Sequence, residues 1–130
     1  MQQRRAKILI VDDDSELVAV LRDALQERWE VAVARDADTA VREWDAAPAD
    51  VIVLDLRLGS AKDGIDVFHE LRRRSGTRPR TLLLSGADEA TRTARALHLP
   101  VIQKPFGMKQ LVSAIEDLLN RNGDHERDGT

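Results

Sequence analysis

The chain has 130 residues, enough for one hydrophobic core and too few for two cores with a linker. Its 20 basic and 23 acidic side chains leave a formal net charge of −3, so electrostatics alone nominates neither nucleic acid nor an anionic membrane as a partner. It contains no cysteine, which removes disulfide scaffolds, thiolate metal sites and cysteine nucleophiles, and its longest apolar runs fall far short of the ~18–20 residues that a membrane helix needs.

In chain order, the opening MQQRR lacks the long apolar stretch and cleavage site of a signal peptide, so a cytoplasmic location is expected. Residues 1–6 read as a polar tail. KILIV at 7–11 is the first strand. Ser15 then starts a helix with Leu17, Val20, Leu21, Ala24 and Leu25 at helical spacing. VAVA at 31–34 is the second strand, and Asp36 or Asp38 opens the second helix. VIVL at 51–54 is the third strand, followed by Asp63-Gly64 and a third helix carrying Phe68 and Leu71. TLLL at 81–84 is the fourth strand, and a helix starting at Asp88 places Ala90, Ala94 and Leu97 together. VIQ at 101–103 is the fifth strand. The last helix sets Met108, Leu111, Val112, Ile115 and Leu119 on one face. Residues 122–130 (NGDHERDGT) form a second polar tail, which leaves one domain over 7–121.

The runs at 8–11, 51–54 and 82–84 do not alternate polar with apolar, as expected of strands covered on both faces. Strand followed by helix, repeated along the chain, implies right-handed crossovers and a doubly wound α/β domain with a parallel sheet. In such a sheet ligands sit beyond the carboxyl ends of the strands, where strand order reverses. The residues expected at that rim are Asp12, Asp13 and Asp14 after the first strand, Asp55 after the third, Ser85-Gly86 after the fourth and Lys104-Pro105 after the fifth.

Carboxylates converging at one rim repel one another unless a positive charge sits among them. A hard divalent cation, above all Mg²⁺, takes such oxygen ligands and leaves positions for water and phosphate. One hydroxyl, Ser85, and one ammonium, Lys104, complete a set suited to a phosphoryl group. The metal and Lys104 neutralise its oxygens, Ser85 and the Gly86 amide bond one of them, and a carboxylate attacks phosphorus.

Four motifs in order, ILIVDDD, VIVLDLRLGSAKDG, LLLSGA and VIQKPF, make residues 7–121 resemble the receiver domain of two-component response regulators. The resemblance implies a five-stranded, flavodoxin-like sheet of order 2-1-3-4-5. It implies that Asp55 is the phosphoacceptor, that Asp13 and the Arg57 backbone carbonyl bind Mg²⁺ together with Asp55, and that Asp12 acts largely through a bound water. Ser85 then corresponds to the hydroxyl residue that contacts the phosphoryl group, Lys104 to the lysine that pairs with it, and Lys104-Pro105 to a bond that is usually cis. A histidine kinase or histidine phosphotransfer protein is the implied donor. An output domain or effector would dock on the face made by the fourth helix, fifth strand and fifth helix. No nucleic-acid or membrane contact is expected, and the domain would be a monomer or a phosphorylation-dependent dimer. It would catalyse only its own phosphorylation and hydrolysis.

Two rival functions are weighed against this reading. A haloacid-dehalogenase-type phosphatase wants Thr or Val four residues after its nucleophile, where Glu16 stands in Asp12-Asp13-Asp14-Ser15-Glu16, and needs room for a cap. A degenerate receiver acting only as a binding module would not need the intact acidic set. His69-Glu70-Leu71-Arg72 resembles a kinase phosphohistidine motif but lacks its proline and any ATP-binding segment. Arg72-Arg73-Arg74, with Arg78 and Arg80, reads as a solvated helix end, and Asp14 as a helix start. Gly64 reads as a permissive turn. Three features depart from the family pattern: a β3–α3 loop one residue longer, Gly59 where proline is common, and Val101 where many receivers carry an aromatic residue. The longer loop is expected to be looser.

Overall fold

The computed structural model describes residues 5–59, 63–76, 79–86, 92 and 95–121. Five strands, β1 (Lys7–Val11), β2 (Glu30–Ala34), β3 (Val51–Asp55), β4 (Thr81–Ser85) and β5 (Val101–Gln103), form one parallel sheet of order β2-β1-β3-β4-β5. Helices α1 (Ser15–Leu25), α2 (Ala37–Ala46), α3 (Gly64–Ser75) and α4 (Met108–Leu119) connect and cover it. This is the expected doubly wound, flavodoxin-like architecture.

The three inner strands are buried at every residue, which is why their sequences do not alternate. Strand geometry still sends successive side chains to opposite faces, and so divides the interior in two. Leu9, Val11, Ile52, Leu54 and Leu83 pack with Trp44 of α2 and Phe68 and Leu71 of α3. Ile8, Ile10, Val51, Val53, Leu82 and Leu84 pack with Leu21 and Leu25 of α1 and Leu111 and Ile115 of α4. The chain runs from β1 outward to β2 and then back across β1 to β3. Strand order therefore reverses between β1 and β3, and their carboxyl ends face the resulting crevice.

Several local expectations are corrected. Asp14, not Ser15, is the N-cap of α1, its Oδ1 accepting from the N–H groups of Glu16 and Leu17 at 3.1 Å each. The buried face of α1 is Val18, Leu21 and Leu25, whereas Val20 is 57 % exposed. The uninterrupted LVAVL stretch fits either face, and tertiary packing chooses. In α4 Leu118 is buried and Leu119 only partly so. Asp55 and Ser85 are the last residues of their strands rather than the first beyond them. Asp36 caps α2 through the Thr39 N–H at 2.7 Å, a bond that holds its carboxyl below the usual aspartate range. Asp63 and Asp66 form a reciprocal capping box at the start of α3.

Of the expected fourth helix, Asp88, Ala90 and Ala94 lie outside the described residues. Arg92, Arg95 and Ala96 are helical, and Leu97 sits in the turn that follows. Arg78 also lies outside. Arg73 and Arg74 pair with Glu70, and Arg74 reaches Asp45 of α2 at 2.7 Å, as suits a solvated helix end.

Gly64 is needed for a different reason from the one its sequence context suggests. Its backbone is not left-handed; its N–H donates to the Leu56 carbonyl at 3.0 Å, and a Cβ there would run into the Asp55 carbonyl oxygen and Leu56 Cα. Glycine lets α3 begin directly against the end of β3. Gly64→Ala is accordingly expected to lower stability by about 1–3 kcal/mol, the usual cost of forcing extra volume against a fixed backbone. Urea denaturation measures this, and an unchanged midpoint would show that α3 retreats freely.

Candidate functional site

The sheet register assembles the rim. Val11 pairs with Leu54, so Asp12 and Asp55 follow at the same level on adjacent strands. Asp55 pairs with Leu84 and Ser85 with Gln103, which brings Ser85 and Lys104 one step further along the same edge. The Lys104 backbone N–H donates to the Ser85 carbonyl at 2.8 Å, tying the end of β5 to that of β4. The Lys104–Pro105 bond is cis, as expected.

Asp12 is wholly buried, and both of its oxygens are engaged: Oδ1 accepts from the Asp14 N–H at 3.0 Å and Oδ2 from Lys104 Nζ at 3.2 Å. Asp55 is 7 % exposed. Its Oδ1 accepts from the Arg57 N–H at 3.2 Å and its Oδ2 from Lys104 Nζ at 3.3 Å. The ammonium thus stands between two buried carboxylates. Asp13 is exposed, yet Asp12, Asp13 and Asp55 each bring a carboxylate oxygen within 4.8 Å of the others. Ser85 is buried at the end of β4, and no buried side-chain polar atom among the described residues lacks a partner. The structure therefore gathers Asp12, Asp13, Asp55, Ser85 and Lys104 at one edge, with Arg57 just outside it. Sequence reading treated Asp14 only as a helix start and missed that its N–H also fixes the Asp12 carboxylate.

Electrostatics follow from this packing. Burial, reinforced by the Asp12 charge, pushes the Asp55 carboxyl up to about 6, against the opposing pull of the Arg57 N–H and Lys104. Burial also disfavours the Lys104 charge, but Asp55 and Asp12 outweigh it and raise its pKa above the ordinary lysine value. Lys104 is therefore a permanent cation at neutral pH. Three carboxylates facing one ammonium leave uncompensated negative charge. An all-oxygen donor set at this spacing fits a hard divalent cation.

A parallel sheet with an acidic crevice at its β1/β3 reversal, and a lysine reaching in from β5, places the chain among doubly wound α/β domains with an oxygen-lined site at the switch point. The family model described as response regulator receiver domain matches residues 8–116, and the chain belongs to that family. It is 32 % identical over 125 residues to the transcriptional regulatory protein TrcR of Mycobacterium tuberculosis, covering 93 % of this chain and 48 % of that protein. It is 36 % identical over 120 residues to CpxR of Klebsiella pneumoniae, covering 89 % of this chain and 50 % of that one. The chain thus spans about half the length of the curated relatives it matches. Among solved structures, chemotaxis protein CheY4 of Vibrio cholerae superposes with a TM-score of 0.78 at 26 % identity, covering 88 % of this chain and 99 % of that one. No helix among the described residues is long and apolar enough to cross a membrane.

The Asp55 shift has a stability consequence in metal-free buffer. Its folded value, about 6, lies above the ordinary 3.8, so below about pH 4 both folded and unfolded chains hold this proton and nothing is lost. Between pH 4 and 6 the folded state binds more protons than the unfolded one, and stability falls as pH rises. Asp55→Asn removes that decline. Its melting temperature relative to the parent is expected to climb from pH 4 to 7 in chelator-treated protein, and parallel profiles for the two proteins would contradict the shift.

Proposed function

We propose that this receiver domain, spanning residues 7–121, accepts a phosphoryl group on Asp55 from a phosphohistidine of a histidine kinase or histidine phosphotransfer protein in the cytoplasm. The observation that carries the reading is the Asp55 carboxylate at the strand-order reversal, ion-paired to Lys104 and flanked by Asp12 and Asp13. A carboxylate oxygen of Asp55 attacks phosphorus as the P–N bond breaks. The electron pair of that bond leaves with the imidazole, and an acyl phosphate forms. Near pH 7 Asp55 is largely ionised and able to attack.

Asp13, Asp55 and the Arg57 carbonyl would hold Mg²⁺, with the wholly buried Asp12 acting largely through a bound water, as the resemblance to the receiver family implies. Bound Mg²⁺ would supply charge neutralisation at the phosphoryl oxygens. Lys104 exchanges its Asp55 contact for a phosphoryl oxygen, and the Ser85 hydroxyl donates to another. Drawing Ser85 inward pulls on Gly86, which follows it; most of the segment expected to respond lies outside the described residues. Val101 is too small and too stiff at its one side-chain torsion to act as an aromatic toggle, so the shift passes to β5 and residues 106–109. An output module, effector or second phosphorylated copy docks there.

Acetyl phosphate with Mg²⁺ is expected to add one phosphoryl group by intact-mass spectrometry and none to Asp55→Asn; equal labelling of the variant would sink the assignment. Asp13→Ala is expected to weaken Mg²⁺ binding while raising the melting temperature of the metal-free protein, since one of three mutually repelling charges is gone. Arg57 is exposed beside Asp55 and long enough to cover its phosphoryl group from water. Arg57→Asn should therefore speed self-dephosphorylation, and an unchanged decay rate would refute the shielding.

A further inference from the structure

Gly59 lies in the loop between β3 and α3, with φ +68°, in the left-handed region that side-chain-bearing residues rarely adopt. The position a Cβ would take there is occupied on one side by a carboxylate. A Cβ built there would stand 2.5 Å from Asp13 Oδ2 and 3.7 Å from Asp13 Cγ. Gly76, the C-cap of α3, offers an internal comparison: its φ is +73°, yet a Cβ there meets nothing within 4 Å. The two glycines share a backbone requirement, and only one of them also holds space for a functional side chain.

We infer that Gly59 is a positioning residue for the cation site: the bare left-handed glycine leaves room for the Asp13 carboxylate beside it and so keeps that carboxylate at bridging distance from Asp12 and Asp55. The inference rests on the acidic set proposed above as the Mg²⁺ site. A side chain at 59 obliges Oδ2 to retreat by at least about 0.5 Å to restore the 3.0 Å that such contacts respect. Movement towards Asp12 and Asp55 brings like charges together, and rotation into solvent widens a spacing that one ion must bridge. Asp13 is exposed, so the fold absorbs the movement and the cation site does not. The glycine, which in sequence suggests looseness, thus serves a defined contact at position 59; residues 60–62 lie outside the described residues.

The test compares Gly59→Ala with Gly76→Ala in the full chain. Both carry left-handed strain and should melt a few degrees lower than the parent. Only Gly59→Ala should bind Mg²⁺ more weakly in a calorimetric titration, by about ten-fold, the scale on which metal affinity responds when a ligand's support is disturbed. In acetyl phosphate labelling it should need correspondingly more Mg²⁺ for half-maximal rate, with the rate at saturation retained. In an Asp13→Ala background the Gly59→Ala effect on Mg²⁺ should vanish. Gly59→Asn, better tolerated at positive φ but still bearing a Cβ, should reproduce the weakened binding. Parent-like Mg²⁺ affinity in Gly59→Ala, an equal loss in Gly76→Ala, persistence of the effect without Asp13, or failure of both Gly59 variants to fold would each overturn the inference. A parent that binds no Mg²⁺ would instead overturn the reading of the site itself.

Discussion

Asp12 and Asp55 have almost no solvent with which to share their charge, and they sit side by side because adjacent parallel strands end at the same level. Two buried carboxylates in that arrangement would drive each other to protonate. The Lys104 ammonium, reaching in from β5, bonds an oxygen of each and keeps the pair compatible with ionisation at neutral pH. Without the ammonium, two buried carboxylates would face each other with nothing to offset their charge. Much of the architecture can be understood as delivering that ammonium. The order β2-β1-β3-β4-β5 opens the crevice, the Lys104 N–H bond to the Ser85 carbonyl anchors the backbone, and two independent cores clamp the sheet from both sides.

The same cluster is poised rather than satisfied. Lys104 offsets part of the negative charge and leaves a remainder that a proton on Asp55 or a further cation can neutralise. Asp12 is consumed by internal hydrogen bonds, whereas Asp13 is exposed and answers to its surroundings. The asymmetry gives adjacent, chemically identical residues different work. Asp12 is a fixed part of the interior, Asp13 an adjustable arm, and Asp14 a helix cap whose backbone steadies Asp12.

Much of this was legible in the sequence because parallel sheets impose strong local rules. Central strands covered on both faces are apolar, and polar groups collect at or just beyond their carboxyl ends, so Asp12, Asp13, Asp55, Ser85 and Lys104 could be picked out by position. What escaped reading depends on contacts distant in sequence. Ser15 and Asp14 are both good caps, and only the geometry of the β1–α1 turn selects Asp14. The apolar LVAVL run hides which of Val18 and Val20 faces the core. Gly64 and Gly59 are needed for space beside Asp55 and Asp13, and a clash that would arise only on folding leaves no periodic signature.

The Lys104 contacts join residues 92 and 49 positions apart, so the ammonium is the last member of the cluster to be synthesised. On a ribosome, a chain emerging from its amino end exposes Asp12 and Asp55 well before Lys104 is even translated. Such a nascent chain has its carboxylates but not the cation that makes them a site. The cluster of charges is thus complete only once β5 docks beside β4.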